Sequence, residues 1–144
     1  MRLNRHADYT IRTVLYLAMQ DAGAVVPRRD VVEAMGIPDS FFRKIATQLG
    51  RAGILELTRG ARGGCRLRVD PASLTLLQVA ETALGEVYFN DCVVRPETCR
   101  RSARCAVHHV CAAATEQLRG LLAGITFAEL AREESCLSES LGLG

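Results

Sequence analysis

Apolar residues recur at Ile11, Val14, Leu15, Ala18 and Met19, in the three- and four-residue steps of a helix face. They predict a helix from about Ala7 to Gln20, ended by Gly23. Val31, Val32 and Met35 repeat the pattern after Pro27, which suits a first helical turn, and Gly36 is the expected stop. Ile37-Pro38-Asp39-Ser40 then opens a third helix, with Asp39 as the expected N-cap. Phe42, Ile45, Ala46 and Leu49 form its inner face. Ser40, Arg43, Lys44, Thr47 and Gln48 form its outer one, and Gly50 and Gly53 close it. At Ile54–Thr58 and Cys65–Val69 the period falls to two, as in half-buried strands. Between them lies Arg59-Gly60-Ala61-Arg62-Gly63-Gly64, the composition of a hairpin tip.

Beyond Asp70-Pro71, Leu74 to Ala80 predicts a fourth helix, broken by Gly85. A polar stretch without periodicity follows. From about Ser102 to Leu122 the steps Val107, Val110, Cys111, Ala114, Leu118 and Leu121 predict a long helix, and Ala112-Ala113-Ala114 permits a close helix contact. Thr126 is placed to cap a short helix, Phe127 to Ala131. The tail from Arg132 is rich in Glu and Ser and is expected to fray.

The pattern is therefore mainly α with a small β wing: a winged helix-turn-helix domain plus a long dimerisation helix. The expected units are residues 1–84 for DNA binding, 85–105 for a ligand-binding loop, 102–131 for the dimerisation helix with a short helix after it, and 132–144 for a flexible tail. Two short helices joined at a Gly turn, the second polar outside, are a helix-turn-helix pattern, and the hairpin after them strengthens it. Glycine at the tip permits close approach to a surface, and arginine there can clamp phosphate or enter a minor groove. A phosphate loop of a nucleotide enzyme is the rival reading and is discounted, because no helix opens directly after Gly64 and no Lys-Ser/Thr follows.

Charge supports a polyanion partner. Net charge is only +2, but residues 1–70 hold twelve Arg or Lys against seven Asp or Glu, and the remainder six against nine. No signal peptide and no apolar run of membrane length is visible, so a cytoplasmic protein is expected. Readers of duplex DNA with one helix-turn-helix usually pair, which assigns the long helix to a homodimer on a palindromic operator.

Six cysteines in such a compartment point to metal or redox chemistry rather than disulfides. Four of them, and two of three histidines, fall between Cys92 and Cys111. Free cysteine often serves as a small buried hydrophobe. Cys92, Cys99 and Cys105, however, stand in a polar, Arg-rich stretch with gaps of six and five residues, better suited to wrapping a soft metal centre. His108, three residues beyond Cys105, would share a helical face with it. His109 is off that face, and Cys111, between Val110 and Ala112, is expected to serve helix packing. A zinc-stabilised regulator is the rival, though structural zinc usually has a shorter cysteine knuckle. A thiol-redox protein is less well supported, since no Cys-x-x-Cys occurs.

The opening Met1-Arg2-Leu3, the Gly36-Ile37 turn, the wing Arg59-Gly60-x-x-Gly63-Gly64, the three-cysteine loop and the closing Ile125-Thr126-Phe127-Ala128-Glu129-Leu130 together resemble the IscR–NsrR–RirA family of bacterial regulators. The resemblance implies a winged-helix homodimer, most often a repressor, that carries an iron–sulfur cluster in each subunit and senses cluster supply, iron, nitric oxide or redox state. By position it implies Cys92, Cys99 and Cys105 as cluster ligands. His108 matches the fourth ligand of a 2Fe–2S cluster, and Asp8 the carboxylate that other members lend from the partner subunit to a 4Fe–4S cluster. Local spacing favours His108 and 2Fe–2S. For DNA it implies Ser40, Phe41 and Arg43 on the recognition helix and Arg59 in the minor groove. Arg2, Lys44, Gly60 and Arg62 complete the expected contact set. IscR-like members can carry Glu at the position of Arg43, so the resemblance does not carry over their operator sequence.

Overall fold

The computed structural model describes residues 3–143. Arg2 lies outside the described residues. The first helix, α1 (Arg5–Ala18), starts where the Asn4 side chain accepts the Ala7 amide at 2.8 Å. Its most buried line runs through Ala7, Thr10, Val14 and Leu17 rather than through Ile11 and Leu15. Two threonines tolerate this burial because their hydroxyls donate back to the helix: Thr10 to His6 O at 2.7 Å and Thr13 to Tyr9 O at 2.8 Å. Helix α2 (Arg28–Met35) stops at Gly36 and α3 (Asp39–Arg51) follows. Asp39 is not the N-cap. Pro38 holds that position, and the Asp39 carboxylate is drawn outward by Arg28 at 2.9 Å and Arg43 at 3.6 Å.

Strands β1 (Leu55–Thr58) and β2 (Gly64–Leu67) pair antiparallel, with Leu55 opposite Leu67 and Leu57 opposite Cys65. Glu56 and Arg66 face each other across the hairpin at 2.9 Å. Val26 adds a bridge to the outer edge of β2, exchanging hydrogen bonds with Cys65 at 2.8 and 2.9 Å. Gly64 makes that approach possible, because a Cβ there would strike the Val26 carbonyl. At the tip, Gly60 holds a φ of 106°, a conformation other residues rarely adopt.

Helix α4 (Leu76–Leu84) begins with a capping box of Thr75 and Gln78. The next stretch is more structured than a plain loop. It holds a single-turn helix, α5 (Asp91–Val94), and two 3-10 turns, Pro96–Thr98 and Ser102–Arg104. The long helix, α6 (Ala106–Ala123), starts four residues later than the apolar pattern predicts. The Ser102 hydroxyl turns back onto the carbonyls of Pro96 and Cys99, at 3.1 and 3.0 Å, and so closes the 3-10 turns instead of capping a helix. Cys105 is consequently the extended N-cap of α6, with φ −98° and ψ 112°, and does not share a helical face with His108.

The C-terminal segment corrects the expected frayed tail. A second capping box, Thr126 with Glu129, starts α7, which runs from Phe127 to Ser140. Phe127 is wholly buried in the core with Val14, Leu49 and Val79. Its amide donates to Leu74 O at 2.9 Å, beside a Thr75–Thr126 bridge. The chain end thus returns to the winged region, and packing against α1 sustains the helix that Glu and Ser alone would not.

Candidate functional site

Helix α6 presents two different faces. His108, Cys111, Ala112, Thr115 and Arg119 recur along one at helical steps. Thr115 Oγ1 accepts the Phe89 amide at 3.1 Å, and Arg119 donates to the Glu81 carboxylate and, at 3.3 Å, to Val87 O. These bonds turn the face toward residues 87–94. At its N-terminal end, His108 Nδ1 lies 3.4 Å from Cys92 Sγ on α5. Residues sixteen apart in sequence thereby meet as a ligand-type pair.

The other thiols share the neighbourhood. The Cys92 thiol is pushed up from its ordinary pKa, first by partial burial and then by the thiols of Cys99, Cys111 and Cys105. Cys105 is half-buried at the start of α6 and Cys99 is exposed on the segment before it. Among the described residues, no three His, Cys, Asp or Glu side chains converge at metal-binding distance. The donor chemistry suits iron or zinc, and convergence requires residues 95–105 to fold inward, where only Ser102 is buried. Arg100, Arg101, Arg104 and the α6 N-terminus favour negative charge here.

Asp8 sits in the first turn of α1, 42% exposed and ion-paired with Arg12 at 2.8 Å. Among the described residues no hydrogen bond or ion pair ties it to the cysteines or His108 of its own chain.

Helix α3 exposes Ser40, Arg43, Lys44 and Thr47. A shallow hollow lined by His6, Arg43, Lys44, Thr47, Gln48 and Arg51 contains three cations and no carboxylate. Arg59, Gly60 and Arg62 stand exposed at the hairpin tip. Two neighbouring residues are engaged within the fold, and the second departs from expectation. Phe41 is half-buried, its ring edge-on to Tyr9 with centroids 5.2 Å apart. Gln48, expected on the outer face, turns inward and bonds His6 at 2.6 Å and the Thr82 carbonyl.

Residues 3–133 match the family model described as "Rrf2: Iron-dependent Transcriptional regulator". The chain belongs to the Rrf2 family of transcriptional regulators. The regulator NsrR of Geobacillus kaustophilus is 31% identical over 149 residues, covering 98% of this chain and 97% of that one. The regulator IscR of Photobacterium profundum is 27% identical over 135 residues, covering 94% of this chain and 78% of that one. The structure of T. potens IscR superposes with a TM-score of 0.72 at 18% identity, over 93% of this chain and 88% of that one. That of CymR, described as the global cysteine regulator of B. subtilis, gives 0.75 at 16%, over 92% and 98%. At such identities these two structures establish the winged-helix fold.

In this Rrf2 regulator Cys65 belongs to the core. It is 1% exposed, its thiol donates to Val26 O at 3.7 Å, and burial pushes its pKa up to about 11. Cys111, expected to serve helix packing, is half-buried on the face of α6 turned toward α5 and Cys92. Glu81, Thr115 and Arg119 escaped the sequence reading, although the helical spacing of His108, Thr115 and Arg119 was available to find two of them. Among the described residues no helix is long and apolar enough to cross a membrane.

Proposed function

We propose that this Rrf2 regulator is a cytoplasmic, homodimeric repressor whose affinity for a palindromic operator is set by an iron–sulfur cluster on Cys92, Cys99, Cys105 and His108. The contact that carries this reading is His108 Nδ1 against Cys92 Sγ at 3.4 Å, with the other thiols close by. The cluster, when bound, supplies an iron centre that can be lost, oxidised or nitrosylated. The chain supplies the response. Cys92 and His108 already bring α5 against α6, and Cys99 and Cys105 would draw residues 95–105 inward on joining the same centre.

The DNA face is α3 with the wing. Arg43 and Lys44 reach the major groove, while Arg59 and Arg62, with Gly60 permitting close approach, reach the minor groove or its phosphates. Ser40 contacts the backbone, and Phe41 sets the seat of α3 on α1. Two such faces are brought together by the apolar stripe of α6, where Val107, Val110 and Leu121 are 66%, 67% and 62% exposed.

The proximity of His108 favours it as fourth ligand and so a 2Fe–2S cluster, over Asp8 of the partner subunit and 4Fe–4S. Protein purified without air is expected to be coloured and to contain iron and sulfide. His108→Ala should change or abolish the visible spectrum, and Asp8→Ala should leave it intact. The reverse pattern establishes the 4Fe–4S arrangement. A colourless protein with zinc and no sulfide rejects the cluster and supports the zinc-stabilised regulator.

A further inference from the structure

The last turn of α4 is tied to both sides of the molecule. Thr82 O belongs to the final carbonyls that a helix leaves without an internal partner, and Gln48 Nε2 of the recognition helix donates to it. With that nitrogen turned to Thr82, Gln48 Oε1 faces His6, whose Nε2 donates at 2.6 Å and anchors α1 to the same point. One residue earlier, Glu81 makes the opposite connection. Its carboxylate accepts the Val87 amide at 3.1 Å and pairs with Arg119 of α6. Arg119 also donates to Val87 O at 3.3 Å, and Val87 is 1% exposed. Glu81 and Arg119 side chains are only 27% and 34% exposed, so water screens this pair less than a surface one.

Adjacent residues of one rigid turn therefore hold the recognition helix on one side and, on the other, the root of the cysteine segment together with the α6 face that carries His108. We propose that Glu81 is a positioning residue that couples the order of residues 87–105 to the seating of α3. A shift of Val87 or Arg119 reaches Glu81 first, and Thr82, one peptide away, carries it to Gln48. Glu81 belongs neither to the proposed DNA face nor to the proposed ligand set. The inference rests on the cluster-set DNA affinity proposed above, and two states of the segment are what the coupling requires.

The test uses the full chain and a duplex of about 30 base pairs, three helical turns, selected from a random pool with the purified protein. Affinities are measured for loaded and cluster-free wild type, Glu81→Gln and Arg119→Lys, with spectrum and iron content recorded for each. Glu81→Gln keeps shape and an acceptor for Val87 but removes the charge facing Arg119. It is expected to load normally and to keep the cluster-free affinity. Its loaded-to-free affinity ratio should fall about fivefold or more, within the usual range of allosteric coupling. Arg119→Lys, which keeps the charge and loses the forked contact, should fall between it and wild type. Unchanged ratios in both variants overturn the inference, as do equal losses in both forms, which mark a purely structural role, or failure of Glu81→Gln to load. A wild-type ratio near one sinks the function reading and this inference with it; a high wild-type ratio that survives Glu81→Gln sinks this inference alone.

Discussion

Between Ala7 and Ala80, Val14, Val31, Ile45 and Leu49 are wholly buried, and helices, hairpin and Val26 close around them. Between Tyr88 and Cys105 only Ser102 is buried, and short 3-10 turns and single hydrogen bonds hold the chain. Apolar burial contributes roughly 25 cal/mol for each square ångström removed from water, so the winged region carries its own folding free energy. The cysteine segment has little of that kind. A stretch so thinly held opens at low cost, and its order is free to follow a ligand. The difference suits the proposed function, with a rigid reader of DNA beside a segment whose conformation a bound centre would decide.

The largest effect should come from the packed side. Phe127→Ala is expected to cost about 3–5 kcal/mol, read from the denaturant midpoint of cluster-free protein. A loss under about 1 kcal/mol would mean that α7 is not part of the core and that the contrast is overstated. Next is the seam on α6. Val110 is 67% exposed in the single chain, so Val110→Glu should leave the fold intact. A charge at the centre of the proposed dimer interface should cost at least about 2 kcal/mol of association. Sedimentation should then show monomers and weak operator binding, and an unchanged dimer would place the interface elsewhere.

Within the rigid reader, Arg43→Ala should cost about 1–3 kcal/mol on the operator and relax base preference at one position. Arg59→Ala should weaken binding most where the flank is A/T-rich. Equal losses on selected and random duplexes would make both arginines phosphate contacts. The smallest stability effect is expected at Cys99. Cys99→Ser should shift cluster-free stability by less than about 0.5 kcal/mol, as exposed substitutions do, while iron and sulfide disappear from the purified protein. A large loss of cluster-free stability would show that the segment is structured without its ligand.

Much of the reader was legible because its cues are local. Three- and four-residue steps mark α1 to α4, a two-residue period marks the hairpin, and the Thr126 cap needs only a partner three residues on. Gly36 and Gly60 announce turns whatever surrounds them. The same local logic failed where a polar group had two possible partners. Ser102 bonds back to Pro96 and Cys99, which delays α6 to Ala106 and removes Cys105 from the face of His108. Gln48 turns inward because His6 and Thr82 are there to meet it.

The sequence by itself supplied the candidate donors and the candidate reading face: three cysteines and a histidine in an Arg-rich stretch, and arginines on the third helix and the wing. Composition and spacing within one or two turns suffice for that. Tertiary structure decided which of these meet. Cys92 reaches His108 because Thr115 and Arg119, farther along α6, are bound to Phe89, Val87 and Glu81. α7 packs on α1 and buries Phe127 and Ala131, and the helix runs on to Ser140 although its own composition of Glu and Ser favours fraying. Contacts between residues tens of positions apart depend on how whole faces pack, and no local period records which face will win.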